Sequence, residues 1–266
     1  MKYSKKNKLK YKGLSRDEIY LISRAEFENQ KLVTREFTLK LFKNNKKTDN
    51  ILNNLTRKGR LLQIEKGKYF IVPIKAPNQL WMPNEFIAAK YWIGDVPYYI
   101  GYFTMYNYWG FTDQIPQTIY VLNTKKSRAK VIGNTNYKAV KIIKDKYYGI
   151  KKVKIENEDI IVSDKERTLI DFIFNPMGSW ENVQAVINEQ FDKIDLQKFV
   201  RYLAKFPVAA VRKRAGLMLE RAGVLPKELI KLKRSTGKKN SYTTFNPFIK
   251  SRKGKVNQEW KLIING

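Results

Sequence analysis

The residues best suited to ligand chemistry are a cluster of side-chain amides and cations between positions 46 and 68. At 100° per residue, Asn50, Asn53 and Arg57 fall on one side of a helix, with Asn54 beside them. An Asn amide can pair bidentately with adenine, and an Arg guanidinium can pair in the same way with guanine. The spacing therefore predicts a helical face that contacts bases in a nucleic-acid groove.

A basic hairpin is expected directly after this helix. Gly59 ends the helix, apolar and polar residues then alternate, and the chain turns at Lys66-Gly67. Helix followed by basic hairpin is typical of a winged helix-turn-helix, in which the wing contacts phosphates or the minor groove. The alternative is a small three-helix domain that contacts protein. The candidate DNA contacts are Lys46, Lys47, Thr48, Asn50, Asn53, Asn54, Arg57, Lys58, Lys66 and Lys68.

The elements that must position this helix have their own start signals. Ser15-x-x-Glu18 predicts a capping box that opens the first helix, and Thr34 is a candidate N-cap for the second. Residues 44–47 are expected to form a turn, with Thr48 or Asp49 capping the third helix. The residues expected to face the core on that helix are Ile51, Leu52 and Leu55.

The charge of the chain favours a polyanionic partner. The formal net charge is +29, with 53 Lys and Arg against 24 Asp and Glu. Residues 1–75 hold 20 cations and 7 acids, residues 76–190 hold 14 and 12, and residues 191–266 hold 19 and 5. An AT-rich genome explains the excess of Lys over Arg, but it does not explain the shortage of acids at both ends. Two basic regions on either side of a nearly neutral middle suggest that these parts of the chain have different functions.

Catalytic options are narrowed by the absence of Cys and His from the sequence. Without them there is no thiol nucleophile, disulfide, thiolate zinc site or imidazole base. Asp164, Glu166 and Asp171 invite comparison with Mg²⁺-dependent nucleases, but Glu166 and Asp171 are about 140° apart on a helix. Ser163-x-x-Glu166 is instead expected to be a capping box. We expect no enzyme, with a carboxylate/Mg²⁺ nuclease as the alternative.

The predicted organisation is α+β, with an N-terminal winged helix-turn-helix followed by a larger α/β C-terminal domain and a helical, basic tail. The DNA-binding domain is placed at 1–75, with a basic arm at 1–13, and the Pro-punctuated linker at 76–83. The C-terminal domain is placed at 84–266. Within it, 84–190 is expected to be a mixed α/β core and 191–266 the basic, mainly helical part, with a loop at 235–247.

A second basic surface is predicted in this last part. The candidate residues lie on two expected helices: Arg212, Lys213, Arg214, Lys231 and Arg234. A charge run of this kind is usually a solvated face. The excess of 14 positive charges over 76 residues nevertheless suggests a second phosphate-contacting surface, or a basic module that grips an acidic protein.

Several other classes of function have no sequence support. The chain contains no GxxxxGK[ST] or GxGxxG motif and no Asp-rich calcium loop, so we expect no cofactor and no metal. No run of 18 or more apolar residues and no secretion signal is present, and the expected location is cytoplasmic, with no membrane partner.

Five segments in a consistent order resemble the AbiEi family, the antitoxins of the AbiE abortive-infection toxin–antitoxin systems. They are ILNNLTRKGRLLQIEKGKYFI, YYIGYFTMYNYWGFTDQIPQTIYVLN, VSDKERTLIDF, RAGLMLERAG and FNPFIKSRKGKVNQEWKLIIN. The basic arm at 1–13 and the loop at 235–247 have no counterpart in this resemblance.

The resemblance implies a function that the residues alone do not. It implies that the winged helix binds inverted repeats in the promoter of its own operon as a transcriptional repressor. It also implies that the C-terminal domain counteracts a nucleotidyltransferase-like toxin, directly or indirectly, as part of phage resistance. The family is not known to be enzymatic.

Overall fold

The computed structural model describes residues 13–76, 81–237 and 241–265. The fold is mixed α/β, and the chain forms two compact units. The first runs to Gly94 and also takes in residues 131–135, and the second holds the remainder. The basic arm at 1–13 lies outside the described residues except for Gly13, as do 77–80 of the linker and 238–240 of the predicted loop.

The first unit contains helices and a small antiparallel sheet in alternation. Its elements are α1 (Arg16–Phe27), β1 (Leu32–Thr34), α2 (Arg35–Phe42), α3 (Asn45–Arg57), β2 (Leu61–Glu65), β3 (Lys68–Ile71) and α4 (Glu85–Ile93). The strand order is β1-β3-β2, so that β3 is hydrogen-bonded on both edges. A register shift between Gln63 and Glu65 marks a bulge near the tip of the β2–β3 hairpin.

Side-chain caps fix where the first three helices begin. The predicted capping box of α1 is confirmed, because the Ser15 amide donates to Glu18 Oε2 at 2.6 Å and Ser15 Oγ accepts from the Glu18 amide. Thr34 caps α2 as predicted. The predicted turn at 44–47 is wrong: Asn44 caps α3 by accepting from the Lys47 amide, so the helix begins before Thr48 and Asp49.

The core of this unit is built from one stripe of each helix. Leu21, Ile22 and Ala25 of α1 are fully buried, and Val33 of β1 joins them. From α3 the buried residues that join the core are those predicted, Ile51, Leu52 and Leu55. Burying a Leu or Ile side chain contributes about 1.5–3 kcal/mol, so this stripe decides which face of α3 is left in solvent.

The second unit is organised around a larger sheet. Its strands are β4 (Tyr98–Ile100), β5 (Thr118–Asn123), β6 (Arg128–Ile132), β7 (Thr135–Lys141), β8 (Ile150–Ile155) and β9 (Glu158–Ser163), in the order β6-β7-β5-β4-β9-β8. The pairs β5–β7 and β4–β9 are parallel, and β4–β5 and β8–β9 are antiparallel. The aromatic residues between 98 and 111 are mostly buried here, so this segment forms part of the core.

Helices cover this unit, and its chain ends on a small sheet. The helices are α5 (Phe103–Tyr108), α6 (Lys165–Phe174), α7 (Trp180–Gln190), α8 (Leu196–Lys205), α9 (Ala209–Arg221) and α10 (Pro226–Ser235). The small sheet is formed by β10 (Thr243–Thr244), β12 (Leu262–Ile264) and β11 (Lys255–Asn257), in that spatial order. The tail is therefore helical to Ser235 and contains short strands beyond it.

The start of α6 differs from the prediction. Asp164 caps the helix by accepting from the Arg167 amide at 2.8 Å, where Ser163 was expected to cap. An Asp carboxylate fills this role well because it also interacts favourably with the helix dipole. Within the described residues, every helix is too short or too polar to cross a membrane.

Candidate nucleic-acid interface

Helix α3 has two distinct faces. Its buried side is formed by Thr48, Ile51, Leu52 and Leu55. On the other side Asn50, Asn53 and Arg57 are exposed, and Asn54 is half-buried. The predicted arrangement of amides and guanidinium is thus present on one helix surface, where it can donate and accept hydrogen bonds.

Arg57 and Asn54 are linked to each other. The Arg57 Nη2 atom donates to Asn54 Oδ1, one turn earlier on the helix. This bond occupies the amide oxygen of Asn54 and orients the guanidinium along the exposed face. The two side chains therefore present a surface composed mainly of N–H donors, which suits acceptors such as phosphate oxygens or the O6 and N7 atoms of guanine.

Thr48 must be removed from the set of candidate contacts. Its side chain is fully buried, on the same side of the helix as Ile51 and Leu52. The prediction placed it both among the ligand contacts and as a candidate N-cap of α3. The helix begins one turn earlier, and Thr48 therefore faces inward.

Two of the predicted cations neutralise carboxylates of α1. Lys47 Nζ lies 2.9 Å from Asp17 Oδ1, and Lys58 Nζ lies 2.6 Å from Glu18 Oε2. Burial opposes ionisation of Glu18, but hydrogen bonds from Lys58 and Ser15 outweigh it and lower the pKa of this carboxyl. Lys58 also donates to the Gly13 carbonyl at 2.9 Å. Its main role is to join α3 to α1, whereas Lys46 extends into solvent.

The hairpin that follows α3 carries the other predicted cations at its tip. Lys66 is exposed, and Lys68 is half-buried where β3 begins. Gly67 has φ +74°, a conformation that costs an L-residue with a Cβ more than it costs Gly. The sequence Lys66-Gly67 therefore makes a tight turn that holds one cation at the outermost point of the hairpin.

Sequence reasoning missed a residue that organises this surface. Arg35, the first residue of α2, forms a bidentate ion pair with Asp49 of α3, with N···O distances of 2.7 and 3.0 Å. Its Nη2 atom also donates to Asn45 Oδ1 at 2.9 Å. The hydrogen bond from Arg35 lowers the pKa of Asp49. Because the partners are 14 and 10 residues apart, helical periodicity carries no signal for them.

An open groove of about 470 Å³ runs between the start of α1 and the exposed face of α3. Its lining includes Lys46, Asn50 and Asn54, together with the carboxylate residues Asp17 and Glu18. Lys47 also lines the groove, so its two acids are matched by two cations, and Lys58 adds a further positive charge at Glu18.

Three of the five residues of the predicted second basic surface point inward. Lys213 is buried and donates to the Ser241 carbonyl, and Arg214 Nε donates to the Thr244 carbonyl at 3.1 Å. Arg212 donates to the Phe206 carbonyl. Burial lowers the pKa of all three groups, because the charged form loses hydration. Lys213 and Arg214 hold the segment 241–244, and Arg212 bonds to the connection between α8 and α9, so the predicted surface is wrong at these positions.

The remaining two residues of that set are exposed. Lys231 and Arg234 lie on the solvent side of α10, whose opposite side is buried through Leu229 and Leu232. An amphipathic helix with this pattern leaves its cations hydrated. The predicted surface is thereby reduced to these two residues on α10.

The carboxylates considered for catalysis serve other contacts. Asp164 and Glu166 both bind Lys198 of α8, at 3.0 and 2.8 Å, and Glu166 also accepts from the Asp195 amide. The predicted capping role of Glu166 is wrong, since its carboxylate joins α6 to α8. Asp171 is buried against Arg167 at 3.1 Å. The described residues hold no group of three or more Asp and Glu side chains placed to bind a metal ion.

Comparison with known proteins identifies the fold and leaves the family open. No family model matches the chain, and no curated protein matches it by sequence. Among solved structures, the crystal structure of the Rv2827c protein from Mycobacterium tuberculosis matches with a TM-score of 0.66 at 15% identity. The match covers 94% of this chain and 92% of the other. The chain therefore shares its overall fold with that mycobacterial protein.

Proposed function

We propose that the first unit is a winged helix-turn-helix that binds double-stranded DNA, and that the protein is the antitoxin and transcriptional autorepressor of a toxin–antitoxin operon. In this proposal α3 is the recognition helix, and the β2–β3 hairpin is the wing. The observation that carries the DNA-binding part is the exposed face of α3, where Asn50, Asn53 and Arg57 are directed to solvent on a helix fixed by its buried stripe.

The charge distribution supports a duplex as the ligand. The carboxylate of α3, Asp49, is paired with Arg35, and those of Asp17 and Glu18 at the start of α1 are paired with lysines. The exposed face therefore combines amides, cations and neutralised acids. A surface helix without a nucleic-acid ligand more often exposes both signs of charge.

The antitoxin part of the proposal is supported by the resemblance of five ordered segments to the AbiEi family. The partner would be a nucleotidyltransferase-like toxin, encoded beside this protein and counteracted directly or indirectly. This part is separable from DNA binding, because the two activities would use different units of the chain.

DNA binding is tested by titrating the protein with the promoter fragment of its own operon and with a random duplex of equal length. If about six phosphates are neutralised, a plot of log affinity against log salt has a slope of roughly −5. Arg57→Ala and Asn53→Ala are expected to reduce the preference for the promoter by about 1–3 kcal/mol each. Lys152→Ala, an exposed cation of β8 in the second unit, is the matched control.

The outcome against DNA binding is a promoter affinity that does not change with salt. An unchanged preference in the Arg57→Ala and Asn53→Ala variants would instead remove α3 from base recognition.

The antitoxin function is tested by expressing the neighbouring nucleotidyltransferase-like protein and this protein from unrelated inducible promoters. Arg57→Ala is expected to rescue growth as well as the unaltered protein, because it affects only the DNA-binding unit. Growth arrest that the unaltered protein does not relieve would reject the antitoxin function and leave the DNA-binding result untouched.

A further inference from the structure

Arg35 occupies a junction between the two parts of the candidate interface. Its guanidinium binds Asp49 through two nearly parallel hydrogen bonds and also contacts Asn45, both on the first turns of α3. Its backbone amide donates to the Gly67 carbonyl in the hairpin turn at 2.8 Å. One residue is therefore bonded to the recognition helix by its side chain and to the wing by its main chain.

The surroundings of Arg35 reinforce this connection. Strand β1 pairs Thr34 with Lys68 of β3 and then continues directly into α2 at Arg35. A Cβ atom added at Gly67 would lie 3.4 Å from Arg35 Cβ, so the turn is packed against this residue. The hairpin turn and the first turns of α3 are thus both bonded to this residue.

The geometry of the ion pair argues against a direct contact of Arg35 with DNA. The Nε atom and one Nη atom are engaged by Asp49, and the same Nη also serves Asn45. To bind a phosphate through Nε or Nη2, the guanidinium would have to leave Asp49, and an uncompensated carboxylate would then face the duplex. Bidentate pairs of this kind are held by geometry as well as by charge.

We propose that Arg35 is a positioning residue of the DNA interface, which fixes α3 and the wing turn relative to each other and cancels the charge of Asp49 without contacting DNA. The proposal rests on the DNA-binding function. It adds that Arg35 aligns α3 and the wing turn, the two elements proposed to contact DNA.

The first arm of the test measures promoter binding of Arg35→Ala, Arg35→Lys and Lys40→Ala over a series of salt concentrations. Lys40 is the control, because it is an exposed cation of the same helix whose recorded ion pair is with Glu36, four residues earlier. Arg35→Ala is expected to bind the promoter about tenfold more weakly, with the salt slope unchanged. Arg35→Lys is expected to behave like Arg35→Ala, because a Lys ammonium lacks the fork that binds Asp49.

The second arm needs no DNA. Amide hydrogen exchange is measured for the first turns of α3 and for the Lys66–Gly67 turn, with thermal melting to show that the variants are folded. Arg35→Ala is expected to accelerate exchange in the first turns of α3, because the bonds from the guanidinium are lost. The Lys66–Gly67 turn is expected to stay unchanged, because the bond from the Arg35 main-chain amide is kept. Lys40→Ala is expected to leave both segments unchanged. This arm separates the two proposals, because it gives a result even if the unaltered protein fails to bind DNA.

Three outcomes would overturn the positioning role. One is a salt slope that falls by about 0.9 in Arg35→Ala, which is the loss of one phosphate contact. Another is full recovery of affinity in Arg35→Lys, which would show that charge alone matters. The third is unchanged exchange in the first turns of α3 in Arg35→Ala.

Discussion

Helices α3 and α9 each have 13 residues and several cations, yet they use those cations in opposite ways. In α3 the buried side is a single stripe, so that Lys46 and Arg57 are exposed. In α9 most residues from Val211 to Leu219 are buried, and the cations there donate to carbonyls. The number of cations on a helix therefore does not predict a basic surface; the width of its buried side does.

The same contrast holds for ion pairs. The pair of Arg35 and Asp49 is about half exposed and orients a surface, whereas Arg167 and Asp171 are enclosed within the second unit. The Arg167 guanidinium also donates to Tyr99 Oη and lies over the rings of Tyr148 and Phe206. Burying two charges is favourable only when each compensates the other.

The largest expected effect of a substitution comes from breaking that buried pair. Arg167→Ala leaves the Asp171 carboxylate without its counter-charge and should lower the free energy of unfolding by about 3–5 kcal/mol. Urea unfolding measures the change. The double variant Arg167→Met, Asp171→Leu should recover most of the loss, since it removes both charges. A loss below about 1 kcal/mol in Arg167→Ala would show that the pair is not enclosed.

Helix α9 offers a substitution that normally stabilises a helix. Gly→Ala in a helix interior usually gains about 0.5–1 kcal/mol. At Gly216, however, a Cβ would overlap the ring of the buried Trp260. Gly216→Ala should therefore cost about 1–3 kcal/mol. Thermal and urea unfolding give the sign, and a gain in stability would mean that α9 is not enclosed by the C-terminal segment.

The inward cations of α9 can be compared with an outward one on α10. Lys213→Ala removes a buried side chain and its hydrogen bond to the Ser241 carbonyl, and is expected to cost about 1–3 kcal/mol. Lys231→Ala, at an exposed position, should stay within about 0.5 kcal/mol of the unaltered protein. Equal losses of unfolding free energy in the two variants would remove the distinction drawn between these helices.

The last comparison concerns pH, and the sign of the pH effect differs between Asp171 in the second unit and Glu18 in the first. Burial raises the pKa of Asp171 to about 6 from the ordinary 3.8, so the folded protein takes up this proton before the unfolded chain does. As pH falls from 7 to 4.5, the free energy of unfolding of the unaltered protein should rise relative to that of Asp171→Asn. The rise should be at most about 1.4 kcal/mol per pH unit. Urea unfolding of both proteins at each pH measures the difference.

The carboxyl of Glu18 behaves in the opposite direction. Its pKa is lowered from the ordinary 4.5, so its contribution to stability is present above that pH and is lost below it. The window from 7 to 4.5 therefore isolates Asp171. A difference between wild type and Asp171→Asn that is flat over this range would contradict the raised pKa.

Local signals predicted much of the fold. The Ser15 capping box, the Thr34 cap and the inward stripe of α3 follow from spacing alone, and the structure has them at those residues. Strands β1 and β4 were missed, because three residues are too few to show a period of two. The start of α3 was misplaced, because Asn44 to Lys47 has the composition of a turn.

What the sequence could not give was the tertiary partner of each charge. Arg35, Lys58 and Lys213 are all cations in polar stretches, and nothing in their neighbourhood along the chain distinguishes them. Their partners lie 14, 40 and 28 residues away. Contacts over such separations depend on the packing of whole elements.

Strand β3, which is hydrogen-bonded along both of its edges, makes the hairpin stiff. Any bending of the tip would also have to displace β1 and, through it, the start of α2. The hairpin therefore keeps its conformation when a ligand contacts it. For the same reason, little conformational entropy is lost at the tip on binding. When the ligand is a duplex, the sequence-dependent deformability of its own grooves must supply the adjustment, which makes DNA flexibility a determinant of which sites are bound.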